Sequence, residues 1–145
     1  MRREHPAILN NELTLAFWIM PAGHGTLVRH GYAHYGFFAG MAGNGGVDAG
    51  GGGEWHVAST NDNLVDSKWH NVAITIGGEP FREIRLYVDG VMKGSGKSKA
   101  PCLTQSLEFF DGYNGILSEI RLYNRVLDAD EISALATPDK AETAQ

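Results

Sequence analysis

The side chains best suited to chemistry in this chain are aromatic rings set beside hydrogen-bonding groups. Trp18, Arg85, Tyr87 and Tyr123 each stand out of phase with an apolar alternation around them, as do Trp69, Glu119 and Arg121. On a strand, off-phase positions point away from the core face. Flat rings with a guanidinium or carboxylate nearby suit stacking on the C–H faces of sugars and hydrogen bonding to hydroxyls. The competing role is structural, because aromatics fill cores readily and a loop or a bulge can cover such a face. A second set, Tyr32, His34, Tyr35 and Trp55, flanks a glycine-rich stretch together with Asn44 and Asp48. Loops on a rigid scaffold commonly carry binding residues. Trp55 stands out there because it follows the run from Gly50 to Gly53. The bland alternative is a surface loop with one aromatic fixed to the body.

Other constellations carry less. His24, His30 and His34 fall within eleven residues. Zinc needs three or four converging ligands, and no short zinc motif is present, so surface histidines are expected and no metal site is assigned. His70 shares parity with Val72 and Ile74, which predicts a hydrogen-bonded core or edge histidine. Asp128, Asp130 and Glu131 are dense, but they open a helix and complement its dipole. No nucleophile elbow with a Ser-His-Asp arrangement is present. No helix follows Gly53, so the glycine run does not read as a phosphate loop. Cys102 reads as an incidental small residue. Lys93, Lys97 and Lys99 form a small basic cluster expected in the loop that leads to Cys102, either a solvated face or a contact for acidic polysaccharide.

These residues need a scaffold, and the hydropathy pattern predicts one. Leu13, Leu15, Phe17 and Ile19 alternate up to Pro21, the signature of a half-buried strand. Further strands are expected over 26–30, 35–39, 54–59, 69–76, 83–88, 103–110 and 115–123. The last of these should turn Ile116, Ser118, Ile120 and Leu122 to one side. Asp89-Gly90 between two apolar runs is a strong hairpin signal, since a type I′ turn needs positive φ at both central residues. Gly40 to Gly53, with eight glycines in fourteen residues, is expected to be a loop. The one good helix follows Asp128, with Glu131 three residues on completing a capping box and Pro138 ending the run. Many short strands, glycine-rich turns and one late helix point to a β-sandwich.

Composition bounds the rest. The 145 residues carry a formal net charge of −5, with 43% hydrophobic and 20% charged residues. That length suits one domain of about 100–150 residues, here expected over 1–138, with 139–145 a frayed polar tail. The mildly acidic balance argues against nucleic acid as a partner. No run approaches the ~18 apolar residues of a membrane span. The single cysteine excludes an intramolecular disulfide. The first six residues include arginines but no apolar segment, so they do not read as a secretory signal.

The order of blocks is informative. Leu13-Thr14-Leu15-Ala16-Phe17-Trp18-Ile19 is followed by Trp69-His70-Asn71-Val72-Ala73, then Leu86-Tyr87-Val88-Asp89-Gly90. Next come Gly115-Ile116-Leu117-Ser118-Glu119-Ile120-Arg121-Leu122-Tyr123-Asn124-Arg125-Val126-Leu127 and Glu131-Ile132. This series resembles the LamG-like jelly-roll family within the concanavalin A-like lectin/glucanase superfamily. The resemblance implies an all-β, two-sheet antiparallel jelly roll with one short C-terminal helix. It implies a non-catalytic module, extracellular or at the cell surface, that binds carbohydrate or protein, in some members with calcium. Members of the glucanase branch carry their acids as Glu-x-Asp-x-Glu on one strand. No strand here has that pattern, so no catalytic residue is assigned.

Two departures from the family matter. Members begin with one or two strands before the Trp18 block, and only Met1 to Glu12 precede it here, so N-terminal strands are expected to be missing. An edge left uncovered in that way could pair with another copy or a host protein. Ser118 stands where the family often has Asp, and a hydroxyl cannot supply a carboxylate to a hard cation. No cofactor is therefore expected, and calcium is the one to test. The expected partner is a glycan or polysaccharide.

Overall fold

The computed structural model describes residues 2–3, 12–23, 25–30, 37–51, 54–60, 62–77, 82–98, 107–109 and 113–137. Eleven strands and one helix lie among them. The strands are β1 (Arg2–Arg3), β2 (Leu13–Pro21), β3 (Gly25–His30), β4 (Phe37–Met41), β5 (Val47–Gly51), β6 (Glu54–Ser59), β7 (His70–Gly77), β8 (Arg82–Val88), β9 (Val91–Ser98), β10 (Leu107–Phe109) and β11 (Gly115–Tyr123); the helix is α1 (Ala129–Leu135). They form two antiparallel sheets, ordered β1-β10-β3-β4-β5-β6 and β11-β2-β7-β8-β9. This is the expected jelly-roll sandwich with one C-terminal helix.

Period-2 alternation builds the core. Leu13, Leu15, Phe17 and Ile19 of β2 are fully buried, in register with Ile76, Ile74, Val72 and His70 of β7. Ile84, Leu86 and Val88 extend that inner face along β8. The facing sheet contributes Leu27, Val28, Ala39, Met41, Val47, Ala49 and Ala58. Each large side chain so buried is worth roughly 1.5–3 kcal/mol.

Four sequence expectations change. The glycine-rich stretch is not one loop: β4 and β5 pair across it, and among the described residues only 42–46 turns. Ala39, Met41, Val47 and Ala49 alternate inward, so the pattern persists beneath the glycines. Lys93 and Lys97 lie in strand β9 rather than a loop. There Gly94 and Gly96 allow close approach to β6, since a Cβ would collide with the carbonyl oxygens of Ser59 and Val57. In β11 the register shifts between Ser118 and Arg121, and Glu119 takes φ 53°. That bulge turns Leu117, not Ile116 or Ser118, toward the core beside Ile120 and Leu122. Finally, a short strand does precede the Trp18 block: β1 pairs with β10 as the outermost described strand of its sheet.

The helix settles what happens on the other side of the β2 sheet. Asp128 accepts from the Glu131 backbone N–H, and the Glu131 side chain accepts from the Asp128 N–H, the full capping box. An isolated two-turn helix is not stable in water, so it must bury its apolar stripe. Ile132 and Leu127 pack on Ala16, Ala73 and Tyr87, with Tyr123 and Leu135 at the margin. Ala16 and Ala73 are the small residues that make room. Thr14 ties the approach: its hydroxyl donates to the Arg125 carbonyl and accepts the Leu127 N–H.

Candidate functional site

One end of the five-stranded sheet gathers the exposed apolar groups. The register pairs Ile116 with Met20, Ile19 with His70, Val72 with Val88, and Val88 with Val91. The starts of β11, β7 and β9, the end of β2 and the β8–β9 turn therefore share one rim. Four inter-strand spacings make that rim about 19 Å wide. Of the exposed large hydrophobic residues among the described residues, Trp69, Val91, Met92 and Ile116 lie at it, and Val65 is on the segment that leads to Trp69. Trp18 is half-buried next to them, opposite Asn71 on one side and Ser118 on the other.

The segment that carries Val65 and Trp69 is held at many points. Leu64 plugs the core, and its N–H donates to the Gly45 carbonyl at 2.8 Å. Lys93 pairs with Asp62 at 3.1 Å. Asn63 Oδ1 accepts the Val65 N–H and Asp66 Oδ1 accepts the Lys68 N–H, two Asx turns in succession. Ser67, the central residue of the second turn, sits at φ 62°, a left-handed conformation that costs energy unless its neighbours enforce it. Trp69 leaves this scaffold 43% exposed.

His70 joins the segment to the sheet. It is buried, with Nε2 2.8 Å from Asp66 Oδ1 and Nδ1 2.9 Å from Asp89 Oδ2. Burial works against a charged ring, but the hydrogen bonds with Asp89 and Asp66 and their charges outweigh it, so the imidazole titrates above its usual 6.5. The bond from His70 in turn holds the Asp66 carboxyl below the usual carboxylate range. Asp89 is itself fixed. It forms the type I′ turn with Gly90, at φ 53° and 84°, and its Oδ1 accepts the Asn71 N–H at 2.9 Å. Asp66 and Asp89 are thus committed to the imidazole, and among the described residues no group of three or more His, Cys, Asp or Glu is placed to hold a metal ion.

The structure brings three of the four candidate face residues to one part of the sheet, since Tyr87 and Tyr123 share the cluster under the helix and the Arg85 side chain hydrogen-bonds Tyr87, while Trp18 stands apart. Trp18 lies on the rim side of α1. Tyr87 is 4% exposed beneath the helix, which corrects the expectation of an open sheet face. Tyr123 is half-buried at the same helix, opposite Thr14, and Arg85 lies opposite Thr75, so both are toward the far end of the sheet. Arg85 is exposed and pairs with Glu83. Of the second set, Trp55 belongs to β6 in the other sheet, Asn44 accepts the Gly46 N–H within the 42–46 turn, and Asp48 is half-buried opposite Ser59. Tyr32, His34 and Tyr35 lie outside the described residues, as do His24, Lys99, Cys102, Pro138 and the tail 139–145. Trp69 was legible as off-core from its parity with Asn71. Its exposure, and the placing of Met92 and Ile116 along the same rim, were not.

The comparisons follow this geometry. The family pattern described as the concanavalin A-like lectin/glucanases superfamily matches residues 3–133. No curated protein matches. Among solved structures, the native heptameric SAP-like pentraxin from Limulus polyphemus is similar at 14% identity and TM-score 0.67, over 88% of this chain and 70% of that one. The receptor binding domain of botulinum neurotoxin type G is similar at 16% identity and TM-score 0.68, over 87% of this chain and 38% of that one. The binding domain of botulinum neurotoxin DC, solved in complex with SialylT, is similar at 15% identity and TM-score 0.66, over 89% of this chain and 36% of that one. The chain therefore spans little more than a third of the toxin domains it matches. At these identities the likeness is one of fold. With two antiparallel sheets, a capped helix across one of them and a match over nearly its whole length, the chain belongs to the concanavalin A-like lectin/glucanases superfamily.

Proposed function

We propose that this chain is a non-catalytic binding module that takes carbohydrate at the rim around Trp69. The observation that carries the reading is an exposed indole on a segment already fixed by Leu64, two Asx turns and His70. A preorganised ring loses little entropy on binding, and the neighbouring Ser67 and Lys68 supply groups for hydroxyls. Trp18, Met20 and Ile116 extend the apolar floor. A fold relative lends support: the binding domain of botulinum neurotoxin DC is solved with SialylT and, separately, with rat synaptotagmin II. The reading places the module outside the cell or at its surface; among the described residues no helix is long and apolar enough to cross a membrane.

Binding is expected to be independent of calcium. Ser118 offers only a hydroxyl, Asp66 and Asp89 engage His70, and Glu119 pairs with Arg121 at 3.8 Å. Pairing with another copy through β11 has less behind it, because a bulge and that charged pair interrupt the edge.

The test is a glycan and polysaccharide array run with calcium and with a chelator. Selective binding, unchanged by the chelator and weakened at least about tenfold by Trp69→Ala, supports the site; loss of one buried aromatic–sugar contact is worth about that much. Binding lost only with the chelator would restore calcium. Silence from folded protein would overturn the carbohydrate reading.

A further inference from the structure

The bridge at His70 has a chemical requirement that the rest of the rim does not. Both ring nitrogens face carboxylate oxygens, Nε2 at 2.8 Å from Asp66 and Nδ1 at 2.9 Å from Asp89. An imidazolium donates at both nitrogens. A neutral imidazole has one N–H, so its other nitrogen would present a lone pair to a carboxylate. One of the two contacts must then open.

The two arms are not equal. Asp89 is locked by the turn, by the Asn71 N–H on its Oδ1, and by its own N–H, which donates to the Asn71 carbonyl at 2.8 Å. Asp66 sits on an exposed segment and is held besides only by the Lys68 N–H at 3.1 Å. The Asp66 arm is the one that gives way. It lies three residues from Trp69, across the left-handed Ser67.

We propose that His70 is a protonation-controlled latch: as an imidazolium it clamps the Asp66–Trp69 segment to the β8–β9 turn, and its deprotonation frees that segment and loosens the binding rim. The inference rests on the Trp69 reading of the site and adds its regulation. The charged groups that face the ring are few. The segment presents Asp66 and Lys68, the turn presents Asp89, β2 presents Ile19 in register, and the last turn of α1 has no basic residue. The latch is closed below the imidazole's titration midpoint and opens as pH rises through it. A ligand held by Trp69 would be bound more weakly in alkaline medium.

The experiment is an NMR titration of the whole chain without ligand, from about pH 5.5 to about pH 9. It follows the His70 ring carbons, the Trp69 indole N–H (assigned with Trp69→Phe) and amide exchange over 66–69. The expected result is one shared midpoint for all three, with exchange over 66–69 accelerating above it. Asp66→Asn removes one carboxylate while leaving His70 in the core, and should lower the His70 midpoint and carry the Trp69 signal with it. A Trp69 signal and exchange rates that stay flat while His70 titrates would overturn the latch. So would a His70 ring that keeps one protonation state throughout. No sugar is needed for this readout, so a silent glycan array and a failed latch are separate results.

Discussion

Tyr87 is buried and Trp69 is open because α1 ends at Leu135, above the first and short of the second. Removing the buried ring leaves a cavity under the helix, so Tyr87→Ala should cost about 3–5 kcal/mol in urea unfolding. Trp69→Ala should leave the unfolding midpoint nearly unchanged, within about 0.5 kcal/mol, since it truncates an exposed side chain. The pair separates a binding role from a packing role with one assay. Glu131 makes a different prediction. Hydrogen bonds from Arg125 and from the Asp128 N–H lower its pKa to about 2 from the usual 4.5. A depressed carboxyl stabilises the folded state above its unfolded pKa, and that contribution disappears as pH falls through the folded value. The N-terminus of α1 should therefore hold at pH 4.5 and loosen as pH falls toward about 2, seen as the loss of Tyr123 and Tyr87 ring shifts by NMR. His70 has the opposite sign. Its raised pKa stabilises the fold below about 6.5 and the gain is lost as pH rises through the folded value.

At the scale of elements, the contact between β9 and β6 is the tightest dependence on residue size. Gly94 and Gly96 leave no room for a Cβ beside the Ser59 and Val57 carbonyls. Gly96→Val should cost about 1–3 kcal/mol through overpacking, and more if the sheets separate there. Heteronuclear spectra should then show the change in β6 as well as in β9. The capping box is a local device by comparison. Asp128→Ala removes the acceptor for the Glu131 N–H and should cost about 1 kcal/mol by thermal or urea unfolding. Only one of the two effects was legible in the sequence. The Asp128–Glu131 spacing announces the cap, because capping is read within one turn of chain. Gly94 and Gly96 show nothing, because their neighbours come from a strand about forty residues earlier. The bulge at Glu119 was likewise hidden: period-2 reading assumes an unbroken strand, and one inserted residue exchanged Ile116 and Leu117 between outside and inside.

At the scale of the whole molecule, local pattern determined the class of structure. Alternation in β2, β7 and β8, the Asp89-Gly90 turn and the capped helix after Asp128 each follow from contacts a few residues long. Their order along the chain was enough to indicate two antiparallel sheets and a late helix. The site depended on something else. Whether an outward aromatic meets solvent is decided by what else packs on that face. Here the answer came from a two-turn helix at the far end of the sequence. The same holds for the row of strand ends that gathers Trp69, Met92 and Ile116, and for the two aspartates that meet at His70, Asp66 from four residues before it and Asp89 from nineteen after it. The sequence by itself determined the strands, their inward faces and the helix, because those rest on period and on short-range hydrogen bonds. Only the tertiary structure decided which aromatic is open and which carboxylates share an imidazole, because exposure and ion pairing are properties of residues brought together from distant parts of the chain.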